Sequence, residues 1–390
     1  MAGTPLTEFT DFANMTPPLY ITSAEDFVND AIVQAPLFGR LMVGRDMSEV
    51  LQGGTQIRDT IKLSVTSTGK HYHPGASVGG YTNRQSSSLH SLEWRYFRDY
   101  MTWVDKEIEQ NVPEGLSPGA RHALYKRLFT SKEQDFWTSV FNSLDAALLA
   151  NPGGNVTSME DASGTEPIPL YAWINEETDR VASGWTTVGG IDATTNPNWQ
   201  NELRQYDFAQ PDDEDGDNDG LLDAFEAMYL QLQFKPPNIV PGTERFFQRS
   251  GQDPRKMFIG TSNTGLQFYK RRLLERNDRT FGAQDPAYPG PTYAGIPVEQ
   301  ISSLGTMAVY AGDSSTFVSE TAATVTTTGY RYYFVDGNFL VPIIHVRKFF
   351  QKQPSFVLQD QPDTTVQLVG LWWNLFCRSR KRLGIVSPGA

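Results

Sequence analysis

The feature that most constrains this fold is a pair of strand-like segments within residues 53–108, joined by a long polar stretch. The first segment reads DTIKLSVTS, and its apolar residues Ile61, Leu63 and Val65 occupy every second position. Because successive side chains of a strand point to opposite faces, this alternation is typical of a strand with one apolar face. The second segment, SLHSLEWRYFRDYMTWVDKEI, predicts a longer strand that ends at residue 108.

Aromatic side chains would occupy both faces of the longer strand. One face carries Trp94, Tyr96 and Tyr100, and the other carries Phe97, Met101 and Trp103. The glycine- and serine-rich stretch TGKHYHPGASVGGYTNRQSSS separates the two strands, and linkers of about 20 residues are uncommon inside a compact domain. A two-stranded ribbon is only marginally stable alone in water. We therefore expect an extended ribbon that rests on another surface, such as a neighbouring subunit.

A long helix and several further strands follow the ribbon. Apolar residues at three- to four-residue and compatible spacings predict a helix over 117–150, with Thr130-Ser131 as a point where it can bend or divide. LLDAFEAMYLQLQF predicts a shorter helix, and MFIGTSNTGLQFYKRRLLERN predicts a strand, a turn and a helix. The last hundred residues are mostly typical of strands, with a turn at Asp336-Gly337. Together these patterns predict an α+β fold.

The net charge limits the partners of the chain. Its 390 residues carry a formal net charge of −12, which argues against coating nucleic acid by charge alone but allows a surface that faces DNA without gripping it. Cys377 is the only cysteine, which excludes a disulfide framework and fits a reducing compartment. The N-terminal residues resemble no signal peptide, and no apolar stretch approaches the roughly 20 residues that span a bilayer. We expect a soluble protein made in the cytosol, with no membrane partner.

The sharpest local motif is DGDNDGLLDAFE, residues 215–226, which matches the calcium loop of the EF-hand. The expected ligands are the side chains of Asp215, Asp217, Asp219 and Glu226, the backbone carbonyl of Leu221, and Asp223 through a water molecule. Gly220 occupies the position of the sharp turn. Eight carboxylates lie between residues 212 and 226 with no Lys or Arg among them, and a divalent cation would relieve their repulsion. The motif predicts one bound Ca²⁺.

The same stretch is also typical of a solvated acidic turn that leads into a helix. In that interpretation Asp219 is the N-cap, and Asp223 is favoured by the helix dipole. Pro211 lies just before the loop, so the incoming helix of an EF-hand is not evident, and the chain has no second loop to pair with. We interpret the motif as one local feature of a larger protein and not as the sign of a calcium sensor.

Other candidate reactive residues carry weaker patterns. His71 and His73 would share a strand face, but with no further ligand pattern they are typical of loop histidines. Cys377 lies in an apolar strand beside Arg378 and is interpreted as a packed cysteine. The basic cluster RSRKR, 378–382, would contact either nucleic acid or carboxylates of a neighbouring chain, and we favour protein contacts. Since no nucleophile, base and orienting group occur at usable spacing, we expect no enzymatic activity.

Three segments carry a resemblance to a known family. They are GWTTVGGIDATTNPNWQNE (184–202), YRYYFVDGNFLVPIIHVRKFF (330–350) and VQLVGLWWNLFCRSRKRLGIVSPGA (366–390). Phage coat sequences have a similar Gly-Gly-Ile-Asp stretch followed by an Asn and Trp segment, and they end in a similar aromatic strand and basic turn. With this order of elements, the sequence resembles the major capsid protein of a tailed bacteriophage, which has the Hong Kong 97-type fold.

The resemblance implies a map of the chain. Its units are an N-terminal arm (1–52), an extended loop lying across a neighbouring subunit (53–108), a peripheral domain with its spine helix (109–183), an axial domain (184–345) and a return to the peripheral domain (346–390). Some members begin with a long charged scaffolding segment. Because the extended loop starts near residue 53, the sequence favours a separate scaffolding protein. Some members also join subunits through a Lys–Asn isopeptide bond; Lys70 lies near the loop tip, but no partner Asn is evident, so this chemistry is not expected.

The function implied is that of a structural shell protein. Copies of the chain would associate into pentamers and hexamers that close into an icosahedral head around packaged double-stranded DNA, which the acidic chain contacts weakly. The implied partners are other copies, a separate scaffolding protein, a portal and a cement protein. The expected location is the capsid of the virion, assembled in the host cytoplasm.

Two alternatives stay open from the sequence. An encapsulin-like compartment shell keeps the same fold and encloses protein cargo instead of DNA. A calcium-binding surface or adhesion module would be a different class of protein, and a secretion signal or repeated calcium loops would favour it. The sequence has only the single acidic loop.

Overall fold

The fold was analysed in a computed structural model of the chain. It describes residues 37–42, 49–51, 54–62, 87–104, 118–149, 166–174, 187–193, 195–207, 220–232, 256–275, 291–301, 304, 308–310, 317–319 and 330–388. Most of the predicted N-terminal arm and the predicted tip of the ribbon lie outside these residues.

The described part of the chain contains five α-helices and eighteen strands, numbered here in chain order. The helices are α1 (Leu37–Met42), α2 (Pro118–Leu149), α3 (Leu170–Trp173), α4 (Leu221–Leu232) and α5 (Asn263–Glu275). The first nine strands are β1 (Glu49–Leu51), β2 (Gln56–Lys62), β3 (Ser87–Glu93), β4 (Arg95–Val104), β5 (Thr187–Val188), β6 (Ile191–Asp192), β7 (Glu202–Tyr206), β8 (Met257–Thr261) and β9 (Thr292–Tyr293). The others are β10 (Ile296–Gln300), β11 (Ala308–Tyr310), β12 (Phe317–Ser319), β13 (Tyr332–Asp336), β14 (Leu340–His345), β15 (Gln351–Lys352), β16 (Phe356–Val357), β17 (Thr364–Cys377) and β18 (Gly384–Pro388).

The first sheet is built around the long strand β17. Strands β1 and β14 continue it on one side, β15 and β16 pair with further parts of β17, and β4 runs antiparallel to it from Arg95 opposite Trp373 to Val104 opposite Thr364. Helix α2 packs against this sheet through an apolar stripe. The stripe consists of Phe136, Val140, Leu144 and Leu148, all of which are buried. The helix matches the prediction over 117–150 and continues through Thr130-Ser131 without a break.

The second sheet has the strand order β7, β18, β13, β8, β10, β9. Both of its faces are covered, so neighbouring residues of one strand contribute to different cores. Tyr333 and Val335 of β13 face the first core, which they share with α2 and the first sheet. Tyr332 and Phe334 of the same strand face a second core, formed with α4 and α5. This sheet therefore joins the two cores.

The structure corrects the predicted course of the ribbon. Strands β2 and β3 form the expected antiparallel pair, with Gln56 opposite Glu93 and Lys62 opposite Ser87. The predicted long strand is divided at Trp94, however, and its second half, β4, belongs to the first sheet. Trp94 is buried, and its indole N–H donates to the Gly54 carbonyl at 3.0 Å. Four of the five aromatic residues assigned to the ribbon therefore lie on a strand that pairs with β17 of the same chain, namely Tyr96, Phe97, Tyr100 and Trp103.

Strands on the two sides of residue 345, where a boundary is predicted, pair with each other in both large sheets. Strand β14, on one side of that boundary, pairs with β17 in the first sheet. Strand β18, on the other side, lies between β7 and β13 in the second sheet. The turn predicted at Asp336-Gly337 is present, but it carries the chain from one sheet to the other. The division into domains stays a prediction. Within the described residues, no helix is both long and apolar enough to span a bilayer.

Candidate assembly site at the base of the ribbon

The ribbon formed by β2 and β3 is anchored at its base by a tight hairpin. Strands β5 and β6 pair Val188 with Ile191, which leaves Gly189 and Gly190 as a two-residue turn. Both glycines have positive φ, 64° and 76°, which is the geometry of the turns that join two twisted strands most tightly. The Gly189 carbonyl accepts from the Ser91 N–H of β3 at 3.2 Å. The Gly-Gly-Ile-Asp motif thus forms the support on which the ribbon rests.

His90 projects from β3 into a pocket of aromatic rings. Its imidazole stacks on Phe376, with ring centroids 4.3 Å apart, and meets Trp173 and Trp199 edge-on at 5.7 and 5.2 Å. A Cβ added at Gly189 would lie 2.0 Å from the His90 Nε2. The first glycine of the turn is therefore required by its φ and by the close approach of this ring.

The electrostatic environment of His90 keeps its ring neutral. The side chain is fully buried, and neither ring nitrogen has a hydrogen-bond partner among the described residues. Burial lowers the pKa of His90 from 6.5 to about 4. A charged imidazolium would lose its hydration without gaining a hydrogen bond, which is strongly unfavourable. The ring therefore acts as an aromatic plug that fixes the ribbon to the body of the subunit.

Arg380, the middle residue of the basic cluster, holds the segments that surround this plug. Its guanidinium donates to the carbonyls of Trp173 at 3.1 Å, of Trp199 at 3.3 Å and of Ala172 at 3.3 Å. The same group reaches the Asn201 side-chain oxygen at 3.4 Å. Because Arg380 is buried, it contributes as a structural cross-link and not as a surface charge.

Two other basic residues of the cluster, Arg378 and Arg382, also contact protein. The Arg378 Nε lies 3.6 Å from the Oδ2 of Asp59 in β2, and the Arg382 guanidinium donates to the Leu232 carbonyl at 3.0 Å. The sequence favours contacts of this cluster with protein over contacts with nucleic acid. The contacts of Arg378 and Arg382 are with residues of the same chain. Cys377 is fully buried, and burial raises its pKa to about 12, which confirms the interpretation as a packed cysteine.

Two tyrosines of β4 form the exposed side of the site. Tyr96 is 62% exposed and Tyr100 is 61% exposed, on the face of the first sheet that turns away from its core. Tyr96 meets Trp372 edge-on at 4.8 Å, and Trp372 meets His345 at 5.2 Å. Leu89 of the ribbon is also exposed, at 56%. Exposed apolar side chains of this size are candidates for contact with another molecule where they lie close together.

Half of the predicted calcium ligands lie outside the described residues, namely Asp215, Asp217 and Asp219. Helix α4 begins at Leu221, so the other three ligands, Leu221, Asp223 and Glu226, lie within its first two turns. The Leu221 side chain is buried in the second core, and Glu226 is exposed. The Ala224 N–H donates to the Gly220 carbonyl at 3.0 Å, which closes the first turn of the helix. The calcium loop stays a prediction, as do the roles of His71 and His73, which are also outside the described residues.

The chain as a whole is similar in fold to a solved capsid structure. The capsid subunit of cyanophage A-1(L) superposes with a TM-score of 0.55 over 96% of this chain and 98% of that chain, at 15% sequence identity. The chain has the Hong Kong 97-type capsid fold. This confirms the fold predicted from the sequence.

Two further capsid structures cover similar shares of the chain. The capsid of a native GTA particle gives a TM-score of 0.43 at 9% identity, covering 96% of this chain and 99% of that chain. The structure of Mycobacterium phage Adephagia gives a TM-score of 0.43 at 10% identity, covering 98% of this chain and 97% of that chain. The assignment of the capsid fold rests on the cyanophage structure. No family model and no curated protein matches the sequence.

Sequence reasoning did not find His90 or the exposed tyrosines as members of one site. His90 lies in a mostly polar stretch, SLHSLE, and the rings that enclose it come from three distant segments. The Gly-Gly-Ile-Asp motif carried a usable signal, because a Gly-Gly pair between strands indicates a tight hairpin and a close backbone approach. What approaches that hairpin becomes evident only in the folded chain.

Proposed function

We propose that this chain is the major capsid protein of a tailed bacteriophage. Copies of it associate into pentamers and hexamers that form an icosahedral head around double-stranded DNA. The observation that carries the proposal is the likeness to the cyanophage A-1(L) capsid subunit over nearly the full length of both chains. The proposed role is structural, with no catalytic step and with the virion as its location.

The exposed apolar residues support association between copies. A ribbon rooted in the core but exposing Leu89, and a sheet face exposing Tyr96 and Tyr100, are costly for an isolated subunit and useful in an assembly. Burying such side chains stabilises an interface by roughly 25 cal/mol per Å² of apolar surface. Aromatic anchors of this kind are enriched at the centres of protein interfaces.

The charge of the chain supports weak contact with DNA. At a net charge of −12, the subunit has no general attraction for phosphate groups, so the packaged DNA meets a surface that does not hold it. A portal, a separate scaffolding protein and a cement protein complete the proposed partners. The acidic loop at 215–226 adds a proposed Ca²⁺ that stabilises the start of α4.

The test is to purify the full-length protein and to determine its size and shape by light scattering and electron microscopy. Closed particles built from pentamers and hexamers are expected. Particles carrying a portal and nuclease-resistant DNA support the phage head, whereas particles filled with protein cargo support the encapsulin-like alternative. A monomer that does not assemble under any condition would refute the proposal.

A variant of the ribbon tests how the subunits associate. Residues 66–83 are replaced by a short turn, which leaves all the described pairs of β2 and β3 intact. The variant should keep the circular dichroism spectrum of the unassembled wild-type subunit but should fail to form stable shells. A matched control replaces the same residues with a glycine-serine chain of equal length. It separates the effect of shortening the loop from the effect of changing its sequence.

A further inference from the structure

A continuous row of aromatic rings runs along the surface of α2, starting where the N-terminal region enters the fold. Phe38 of α1 lies 6.2 Å from Phe141 of α2 between ring centroids. Phe141 lies 6.0 Å from Phe350, and Phe350 lies 5.0 Å from Phe349. Trp137 packs edge-on against Phe350 at 5.2 Å. The row begins at a buried ring, Phe38, and ends at an exposed one, Phe349.

The far end of this row is apolar, basic and exposed. Phe349 is 46% exposed, Phe141 is 42% exposed and Val346 is 45% exposed. The segment VRKFFQK, 346–352, contains three basic residues and no acidic one. Its basic side chains are Arg347, Lys348 and Lys352, and Lys352 is paired with Glu133 of α2. Lys348 is half-buried, donates to the Gln351 side-chain oxygen at 2.7 Å and lies over the Trp372 ring at 5.6 Å, whereas Arg347 is exposed. We call Phe141 together with residues 346–352 the basic aromatic surface.

The backbone of the basic aromatic surface is held in an unfavourable conformation. Phe350 has φ of 44°, a left-handed value that is rare and strained for a bulky side chain. The contacts of Phe350 with Trp137 and Phe141 hold this conformation. Its consequence is that Phe349 points outward while Phe350 points to the helix. The fold thus keeps an aromatic side chain exposed between two basic residues.

The segment that leads into α1 has the complementary composition. Residues 1–36 contain five carboxylates and no Lys, Arg or His. They also contain four aromatic residues, Phe9, Phe12, Tyr20 and Phe27. This segment joins the described fold at Leu37, next to Phe38, which is the first ring of the row. A tethered segment of this kind has an effective concentration on the order of millimolar at a nearby surface.

We propose that residues 1–36 bind the basic aromatic surface of their own chain. Their carboxylates pair with Arg347 and Lys348, and their aromatic side chains cover Phe141 and Phe349. This inference goes beyond the proposed capsid function and does not depend on it, since it concerns a contact within one subunit. Because exposed ion pairs are screened by salt, the contact weakens at high ionic strength.

Zero-length carbodiimide cross-linking of the full-length chain tests the proposal. The reagent joins a carboxylate to a lysine that touches it, and residues 1–36 supply only carboxylates. We expect links from Glu25, Asp26 or Asp30 to Lys348, found by mass spectrometry after digestion. The Glu133–Lys352 ion pair provides an internal standard in the same sample. Lys270, exposed on α5, is the control lysine and should give no such link.

A charge reversal gives the decisive comparison. Arg347→Glu should lower the yield of the links to Lys348 at least threefold relative to the Glu133–Lys352 link. Arg271→Glu, an equivalent change at an exposed site on α5, should leave that ratio unchanged.

Mixing chains labelled with ¹⁴N and ¹⁵N before cross-linking shows which copy provides the segment. Links within one label only are expected. Links that join ¹⁴N to ¹⁵N peptides would overturn the same-chain proposal in favour of exchange between subunits. Links from residues 1–36 to Lys270 as frequent as those to Lys348, or no links at all while the Glu133–Lys352 standard forms, would overturn the contact itself.

Discussion

At the scale of single residues, His90 shows how a polar side chain can serve an apolar role. Its ring fills a pocket between Phe376, Trp173 and Trp199, while both nitrogens remain without hydrogen bonds from the described residues. A buried group without a hydrogen bond costs about 1–3 kcal/mol. Stacking and apolar burial offset that cost only while the ring is neutral. The attachment of the ribbon is therefore tied to the protonation state of one side chain.

We predict that acid weakens the subunit through His90. The pKa of His90 is about 4 in the folded chain against 6.5 ordinarily, so the unfolded chain binds the extra proton between these values. The stabilisation is complete above pH 6.5 and is lost as the pH falls toward 4, by up to about 3 kcal/mol. The measurement is the free energy of urea unfolding of the unassembled subunit from pH 4 to 7. In the His90→Phe variant the free energy of unfolding should change less with pH over this range, whereas the His345→Gln variant should keep the wild-type dependence on pH. An equal slope in wild type and His90→Phe would contradict the prediction.

Calcium is predicted to act through Glu226, which the acidic loop places at its bidentate position. A single loop without an incoming helix should bind with a dissociation constant on the order of 10⁻⁴–10⁻³ M. Millimolar Ca²⁺ would then stabilise each subunit by about 1 kcal/mol. Thermal melting in chelator and in Ca²⁺ measures the effect: the wild-type melting temperature should rise, and that of Glu226→Gln should stay nearly constant. Asp360→Asn, at an exposed site elsewhere, should respond like wild type, and equal melting of all variants in both conditions would contradict a calcium site.

At the scale of elements, the long helix α2 organises the first core. Its apolar stripe faces the first sheet, and α1 packs against the helix near its C-terminal end. The Phe38 N–H of α1 donates to the buried Asp145 carboxylate of α2 at 2.9 Å. This bond satisfies a donor at the start of a short helix, where backbone N–H groups have no partner within the helix.

Removing that carboxylate should loosen the junction of α1 and α2. Asp145→Ala leaves the buried Phe38 N–H without its acceptor and should lower the free energy of unfolding by about 1–3 kcal/mol. Asp145→Asn keeps an oxygen acceptor of similar shape and should cost less. Urea unfolding followed by circular dichroism measures both, and equal stability of Asp145→Ala and wild type would rule out this role.

The elements also show what the sequence can predict. The ends of helix α2 were predicted within one residue, because its apolar period, the Ser117-Pro118 pair at its start and the Asn-Pro-Gly-Gly stretch at 151–154 after its end are local signals. The division of the ribbon at Trp94 was not predicted, since alternation indicates a strand but not its neighbour. Strands β13 and β14 were both predicted, but nothing local indicated that they lie in different sheets. The pocket of His90 depends on contacts between residues far apart in the sequence, which a linear pattern does not contain.

At the scale of the whole molecule, the second sheet couples the two cores. Adjacent residues of β13, Tyr333 and Phe334, belong to the first and the second core respectively. Neither core can lose its packing without disturbing a strand that the other needs. The α4–α5 region and the α2 region should therefore behave as one cooperative unit.

Unfolding of the unassembled subunit is expected to be a single transition. The seven tryptophans that the structure describes belong to the first core or pack against it, so their fluorescence reports that core. Far-UV circular dichroism reports the whole chain. The two probes should give the same midpoint in urea, for wild type and for Tyr333→Ala and Phe334→Ala. Separate midpoints for the two probes would show that the cores unfold independently.

The burial of Cys377 makes the subunit suited to selective surface chemistry. It is the only sulfhydryl in the chain, and its thiol stays protonated and out of reach of alkylating reagents at neutral pH. A cysteine introduced at an exposed position such as Asp360 would therefore be the single attachment point on each copy. In a particle built from many identical copies, one such change would display a dye, a peptide or a drug at regular spacing.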